Sequence, residues 1–128
     1  MAMTRFEQGM TAAQYLDAMD LNKDRFVRAL EAITLGPEDM KVLERFGTTR
    51  KILVITEDWC GTSLSALPYV FKLAEADPRV ELRVFRRDEN PELMDRYLKD
   101  GRYRSIPVVV FFDEAMTELA RFIERRPG

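Results

Sequence analysis

Apolar positions along the chain change their spacing near residue 50, and this change divides the sequence into two regions. In residues 1–49 apolar side chains recur every three or four residues, which is typical of amphipathic helices. In residues 50–128 runs of about six apolar residues alternate with helical patterns. We therefore expect one domain, in which an N-terminal helical extension of residues 1–49 packs on a core of residues 50–128.

The extension carries the start signals of three helices. Thr11 followed by Gln14 is a capping-box pattern, and Asn22 can cap a second helix. Gly36 ends that helix, and Pro37 suits the first turn of a third. The second helix has apolar residues at helical spacing, namely Phe26, Val27, Leu30 and Ile33.

The core pattern predicts four strands and two helices. A strand, a helix and a second strand in succession form a parallel pair with a right-handed crossover, whereas the last two strands flank a turn and form a hairpin. We expect an α/β sandwich with a mixed sheet. In chain order the predicted elements are strand 52–56, helix 63–76, strand 80–85, helix 91–98 and strands 108–112 and 118–123.

Composition excludes several kinds of function. With 20 basic and 22 acidic residues, the net charge of −2 gives no electrostatic reason to bind nucleic acid or an anionic membrane. Residues 1–10 lack the apolar stretch of a secretory signal, so we expect a cytoplasmic location. One cysteine and no histidine exclude an internal disulfide, a cysteine-rich zinc site and histidine-assisted catalysis. We expect neither a metal nor an organic cofactor.

The single cysteine, Cys60, lies where the first apolar strand passes into a helix. Unpaired N–H groups and the macrodipole at a helix N-terminus stabilise a thiolate relative to a thiol, which makes a reactive cysteine the favoured interpretation. The alternative is an inert, small apolar core residue. Three residues later, where a resolving cysteine would stand, the sequence has Ser63, which can donate to the thiolate or simply cap the helix.

The residues around Cys60 resemble the thioredoxin superfamily. Trp59, Cys60 and Gly61 match the family's Trp-Cys-Gly, and the extension is similar to a bacterial branch of thioredoxin-like proteins. The resemblance implies a thioredoxin-like sandwich with a central mixed sheet and flanking helices. The other matching segments, in the family's order, are Pro68; Asp88, Asn90 and Pro91; and Arg104, Ile106 and Pro107.

The resemblance also implies a substrate groove. A cis bond before Pro107 would direct the Ile106 backbone toward an extended partner segment, and Trp59 would form a docking surface beside the sulfur. Four arginines are expected on the active-site side, where they can bind a carboxylate, although we expect at least half to be a solvated basic face: Arg86, Arg87, Arg102 and Arg104. The predicted substrate-binding residues are Gly61, Thr62, Arg104, Ile106 and Pro107.

Several family positions differ in this chain. Ser63 replaces the resolving cysteine, Val54 the buried aspartate and Val84 a nearby lysine. The aspartate and the lysine are absent together, which is consistent, because removing one member of a buried charge pair is costly, whereas replacing both with apolar residues costs little. We expect Glu57 and Asp58, just before the tryptophan, to form a solvated acidic edge.

Three functions fit this pattern. The first is a monothiol oxidoreductase, in which Cys60, with Ser63 and Trp59, acts on mixed disulfides between proteins and a low-molecular-weight thiol. The second is a redox-inert adaptor that binds a partner protein through the groove of Trp59 and Pro107. The third is a peroxide sensor that forms a sulfenic acid at Cys60. The expected partners are a small thiol and thiol-containing proteins.

The sequence also predicts self-association. The family's last helix has no counterpart before the end at Gly128, so either the extension covers the sheet beside the active-site helix or that face binds another molecule. We expect the second case and a homodimer. The strand residues on which this expectation depends are Val80, Leu82, Val108, Val110, Phe111 and Phe122.

Overall fold

A computed structural model describes residues 6–45 and 47–124 of the chain. Within these ranges no helix is both long and apolar enough to cross a bilayer. Short 3-10 turns occur at Phe6–Gln8 and Asp95–Tyr97. In chain order the regular elements are α1 (Ala12–Ala18), α2 (Lys23–Ala32), α3 (Pro37–Arg45), β1 (Lys51–Thr56), α4 (Gly61–Ala76), β2 (Glu81–Arg86), α5 (Pro91–Met94), β3 (Val108–Phe112) and β4 (Glu118–Ile123).

The four strands form one mixed sheet in the order β2-β1-β3-β4. Strands β1 and β2 are parallel, whereas β3 is antiparallel to both of its neighbours. The predicted mixed α/β sandwich is therefore confirmed. The helix predicted over residues 91–98 is shorter, because α5 ends at Met94 and the chain continues as the 3-10 turn Asp95–Tyr97.

The sheet has a different set of helices on each face. Side chains of β1 alternate between the faces, so Leu53 and Ile55 pack with Met94 and Tyr97, while Val54 belongs to the opposite core with α4. Helices α1 and α2 lie on the α4 face and contribute apolar residues to the same core. The extension therefore shares a face of the sheet with the helix that carries Cys60.

Three aromatic rings join the extension to α4. Tyr15 of α1, Phe26 of α2 and Phe71 of α4 are at most 5% exposed, and their ring centroids lie 5.2–6.3 Å apart in edge-on or tilted orientations. Such pairs add attraction to the free energy of burying the rings. The capping box predicted from Thr11 and Gln14 is present.

The extension also covers the edge of β2. The N–H of Met10 donates to the carbonyl of Val84 at 2.9 Å, and the N–H of Val84 donates to the carbonyl of Met10 at 2.7 Å. Arg83 donates to the carbonyl oxygens of Glu7 and Gly9. These bonds satisfy polar groups that an open sheet edge would expose.

The expected bare sheet beside α4 is not found. Leu82 is 8% exposed because α1 and α2 lie on that face, and Val108 and Val110 are fully buried in the opposite core. The extension thus covers Leu82, while Val80 and Phe111 are half-buried at the same face. Among those strand residues, Phe122 of β4 is 46% exposed, and its neighbour Leu119 is 41% exposed.

We expect Phe26→Ala to lower the free energy of unfolding by about 3–5 kcal/mol, because it leaves a cavity between the extension and α4. Urea unfolding followed by circular dichroism measures this loss. Met40→Ala is the matched control, since Met40 is 41% exposed, and it should change stability by less than about 0.5 kcal/mol. Similar losses for the two variants would contradict the docking of α2 on α4.

Self-association remains a prediction and now depends on Phe122 and Leu119 of the edge strand β4. Sedimentation of the reduced protein at micromolar concentration measures the oligomeric state. A dimer that becomes monomeric in Phe122→Lys would support a contact through this strand. A monomeric wild-type protein at these concentrations would contradict it.

Candidate functional site

Cys60 is the N-cap residue of α4 and follows β1 after a three-residue turn. Its carbonyl accepts the first helical hydrogen bond, from the N–H of Leu64 at 3.2 Å, and its side chain makes no capping bond. The sulfur therefore lies at the end of the helix where N–H groups point outward. Cys60 is half-buried and the preceding Trp59 is 45% exposed, so a partner can approach them from solvent.

The loop before β3 forms the other side of the site. The Ile106–Pro107 peptide bond is cis, as the sequence resemblance implies. The thiol of Cys60 donates to the carbonyl oxygen of Ile106 at 3.7 Å. The structure therefore brings together Cys60 and the loop of Ile106 and Pro107, residues that are 46 positions apart in the chain.

Ser63 occupies the third position of α4 and does not cap the helix, because Cys60 holds the capping position. Its side chain is turned into the protein and is 2% exposed, where the hydroxyl of Thr56 donates to its oxygen at 2.6 Å. Gly61 and Thr62 form the first turn of α4, and a side chain added at Gly61 would meet only open space. These two residues therefore line the outer rim of the site.

Glu57 and Asp58 do not form a solvated acidic edge, since each is only 6% exposed. One carboxylate oxygen of Asp58 accepts from the backbone N–H groups of Asp20 and Leu21 at 2.9 and 3.2 Å. Arg86 lies 3.7–3.8 Å from both carboxylates and compensates their burial. The donors come from the distant α1–α2 connection, which is why sequence reasoning placed these acids in solvent.

The α1–α2 connection is fastened to the site by further bonds. Asn22 has a left-handed backbone, with φ of 62°, and makes no capping bond; its side-chain amide instead donates to the carbonyl of Asp58 at 2.9 Å. Arg86 donates to the carbonyl of Ala18 at 2.9 Å. The N–H of Asp88 donates to Glu57, also at 2.9 Å. Both acids before Trp59 are therefore fixed by backbone groups of other segments.

Arg87 is a site residue whose role sequence reasoning missed. Its guanidinium lies over the Trp59 ring at 4.9 Å, donates to the carboxylate of Asp88 at 3.0 Å and donates to the carbonyl of Arg104 at 3.1 Å. Only 16% of the side chain is exposed. Arg87 therefore connects the tryptophan to the loop that leads to Pro107.

The four arginines predicted on the active-site side differ in exposure. Arg102 and Arg104 are exposed, whereas Arg86 and Arg87 are largely enclosed. Arg104 makes a two-bond pair with Asp95 at 2.9 and 3.1 Å, and these hydrogen bonds raise the pKa of the guanidinium above its usual value. Since the pair is half-exposed, it contributes little to stability.

Tyr15 and Thr56 are buried polar residues beneath the site. Burial, followed by the charge of Asp58, raises the pKa of Tyr15 to about 12. Tyr15 is therefore neutral at physiological pH. The sequence does not reveal the place of its hydroxyl, because Tyr15 occupies an apolar position of α1.

The two valines that replace charged family residues are neighbours in the sheet. Val54 and Val84 are paired in the β1–β2 register and are at most 1% exposed. Both belong to the core under α4. At those positions the buried side of the site is thus apolar. In the part of the chain that the structure describes, no group of three or more acidic or thiol side chains could hold a metal ion.

We expect Asp58→Asn to lower the free energy of unfolding by about 1–3 kcal/mol, because it removes the charge that Arg86 and two backbone N–H groups face. Urea unfolding measures the loss. The control is Glu38→Gln, which removes an exposed carboxylate paired with Lys41 at 3.5 Å and should cost less than about 0.5 kcal/mol. Equal stability of Asp58→Asn and the wild type would show that the contacts of Asp58 contribute nothing.

The chain is similar to known proteins along most of its length. It shares 24% identity with an HIV epitope-scaffold (TM-score 0.77, 98% of this chain and 77% of that one) and with a protein of unknown function from Pseudomonas aeruginosa (TM-score 0.76, 95% and 75%). These likenesses show the fold alone. Thioredoxin from Fasciola hepatica aligns at 24% identity over 69% of this chain and 80% of its own, with a TM-score of 0.48.

None of the curated proteins compared with the chain matches it. The family comparison is more specific, because a thioredoxin family model matches residues 9–127, which include the turn of Cys60, the loop of Pro107 and most of the helical extension. The chain belongs to the thioredoxin family.

Proposed function

We propose that the protein is a monothiol oxidoreductase that acts on mixed disulfides between proteins and a low-molecular-weight thiol. The thiolate of Cys60 attacks the small-thiol sulfur, a new disulfide forms on Cys60, and the protein sulfur leaves and takes up a proton. A second small thiolate then attacks the small-thiol sulfur bound to Cys60. This step releases the small-molecule disulfide and restores the Cys60 thiolate, so that thiols and disulfides balance over the cycle.

The position of Cys60 carries this proposal. Cys60 is half-buried at the N-terminus of the 16-residue helix α4, and its sulfur lies 3.7 Å from the backbone carbonyl oxygen of Ile106. The helix terminus favours the thiolate that attack requires. Since the chain has no second cysteine, the disulfide formed on Cys60 must be resolved by another molecule.

Recognition of the substrate is proposed to use the rim around the sulfur. The exposed Trp59 offers a flat apolar surface, and the loop of Ile106 and Pro107 offers backbone groups to an extended segment of the protein substrate. Arg104 is the proposed contact for a carboxylate of the small thiol, with Gly61 and Thr62 at the rim. A cytoplasmic location fits this activity, because small thiols are kept reduced there.

A redox-inert adaptor is the second candidate. The observation that favours it is the contact of the Arg87 guanidinium with the exposed Trp59 ring, which fixes an aromatic surface at the site whatever the reactivity of the sulfur. Trp59, held by Arg87, would then grip a partner loop without chemistry. Turnover with a small thiol separates the two functions.

We expect the wild-type protein to remove glutathione from a glutathionylated protein when free glutathione is supplied, and Cys60→Ser to abolish this activity. Insulin disulfides should not be reduced with a thioredoxin reductase, because the chain has no resolving thiol. Release of glutathione measured by mass spectrometry tests the first activity, and precipitation of the insulin B chain tests the second. Activity that survives in Cys60→Ser would contradict the mechanism, and no turnover with any small thiol would favour the adaptor.

Ser63→Cys should gain slow activity on insulin, since it restores a second thiol but Val54 supplies no carboxylate to deprotonate it. The matched control is Ser65→Cys, which adds a thiol to the same helix at an exposed position away from the Cys60 side. Insulin reduction by Ser65→Cys equal to that of Ser63→Cys would mean that the added thiol need not lie three residues after Cys60.

A further inference from the structure

Arg87, the residue after β2, contacts both sides of the groove at once. Its guanidinium lies over the Trp59 ring, 4.9 Å from the ring centroid, and donates to the carbonyl of Arg104 at 3.1 Å. Trp59 lies in the turn before α4, and Arg104 begins the segment that leads to the cis bond before Pro107. One side chain therefore joins the two sides of the groove.

The contacts of Arg87 differ in strength. Its hydrogen bond to the carboxylate of Asp88 at 3.0 Å contributes little, because 63% of the Asp88 side chain is exposed to water. Only 16% of the Arg87 side chain is exposed, and a guanidinium that has lost most of its water binds a ring or a carbonyl more strongly. The contacts with Trp59 and Arg104 therefore decide where Arg87 lies.

The shape of the guanidinium suits these contacts. Its planar face can lie on an aromatic ring while the N–H groups at its edge donate hydrogen bonds. Here the guanidinium lies over Trp59, its Nη1 donates to Arg104 and its Nε donates to Asp88. A lysine has one ammonium group and no flat face, so it cannot make the same set of contacts.

The bond from Arg87 does not depend on the state of the sulfur. The segment of Arg104 and Ile106 also contacts Cys60, whose sulfur lies 3.7 Å from the Ile106 carbonyl oxygen. Cys60 cannot donate to this carbonyl as a thiolate or in a disulfide, because neither form carries the thiol proton. The bond from Arg87 to Arg104 is available in every step of the proposed reaction.

We propose that Arg87 is a positioning residue that fixes the groove between Trp59 and the loop of Pro107 for an extended segment of a protein substrate. The nature of this substrate rests on the proposed function. Trp59 is 45% exposed, and a side chain that is already held in place loses less freedom when a partner binds. Arg87 thereby favours disulfides that carry a polypeptide over disulfides of two small molecules, and it does not act on the sulfur itself.

The test compares two reagents that form a disulfide with Cys60. One is dipyridyl disulfide, and the other is a ten-residue peptide whose cysteine carries a thiopyridyl group and is followed by leucine. The Cys60 thiolate attacks the cysteine sulfur of the peptide, and thiopyridone leaves, takes up a proton and is measured by its absorbance. Arg87→Met should lower the rate with the peptide by about threefold to tenfold, as expected for one lost hydrogen bond and one lost ring contact. The rate with dipyridyl disulfide should change by less than about twofold, because this reagent does not need the groove.

Fluorescence reports on the ring contact, because Trp59 is the only tryptophan in the chain. Arg87→Met should increase the quenching of this fluorescence by acrylamide, since the guanidinium no longer covers part of the ring. Arg121→Met is the matched control. It removes a guanidinium that lies over the Tyr97 ring at 5.0 Å and pairs with Glu118 on the edge strand β4, and it should keep the wild-type rates and quenching.

Arg87→Lys keeps the charge and provides the test if Arg87→Met fails to fold, with the same expected losses. An unchanged rate with the peptide, or unchanged quenching of Trp59, would overturn the inference. Equal losses with both reagents would also overturn it, since Arg87 would then act on the sulfur. Neither reaction needs turnover with a small thiol. Failure of the glutathione assay together with a selective loss of the peptide reaction would therefore reject the proposed function and support the positioning role.

Discussion

The site depends on the bonds between the carboxylate of Asp58 and two backbone N–H groups of the α1–α2 connection. Burying a carboxylate is costly unless charge and donors compensate it, and Asp20, Leu21 and Arg86 supply both. Asp58 directly precedes Trp59, so these bonds fix the position of the active-site turn. Helix α4 can begin at Cys60 only where this turn places it.

The same contact explains where the extension lies. Because Asp58 binds the α1–α2 connection, Tyr15 and Phe26 lie on the same face of the sheet as α4. Phe71 of α4 contacts both rings. Arg86 connects the extension to the acidic residues, because its guanidinium lies over the Tyr15 ring at 5.8 Å and 3.7–3.8 Å from the carboxylates of Glu57 and Asp58. The polar bonds thus fix where the extension lies on the core, and the burial of apolar side chains supplies the greater part of the stabilisation.

The sequence predicts the features that depend on neighbouring residues and misses those that depend on distant segments. The strands, the hairpin and the place of Cys60 follow from alternation and turn residues within short windows, and the structure has them within one or two residues of the predicted bounds. Asn22 holds the predicted capping position, but the partner of its side chain was missed, and Glu57 was wrongly placed in solvent, because both partners lie more than 30 residues away. A charged residue with no partner nearby in the sequence is expected to be exposed. Arg87 gave no local sign that it would lie on Trp59.

Replacement of the family's buried charges changes what the site can do. A carboxylate under α4 would accept a proton from a resolving thiol, but Val54 and Val84 fill that space, and Ser63 cannot form a disulfide. An apolar pair also raises the cost of any unpaired polar group nearby, so the hydroxyls of Ser63 and Thr56 must satisfy each other. The proposed function needs only the attack of one thiolate, and it leaves resolution to another molecule.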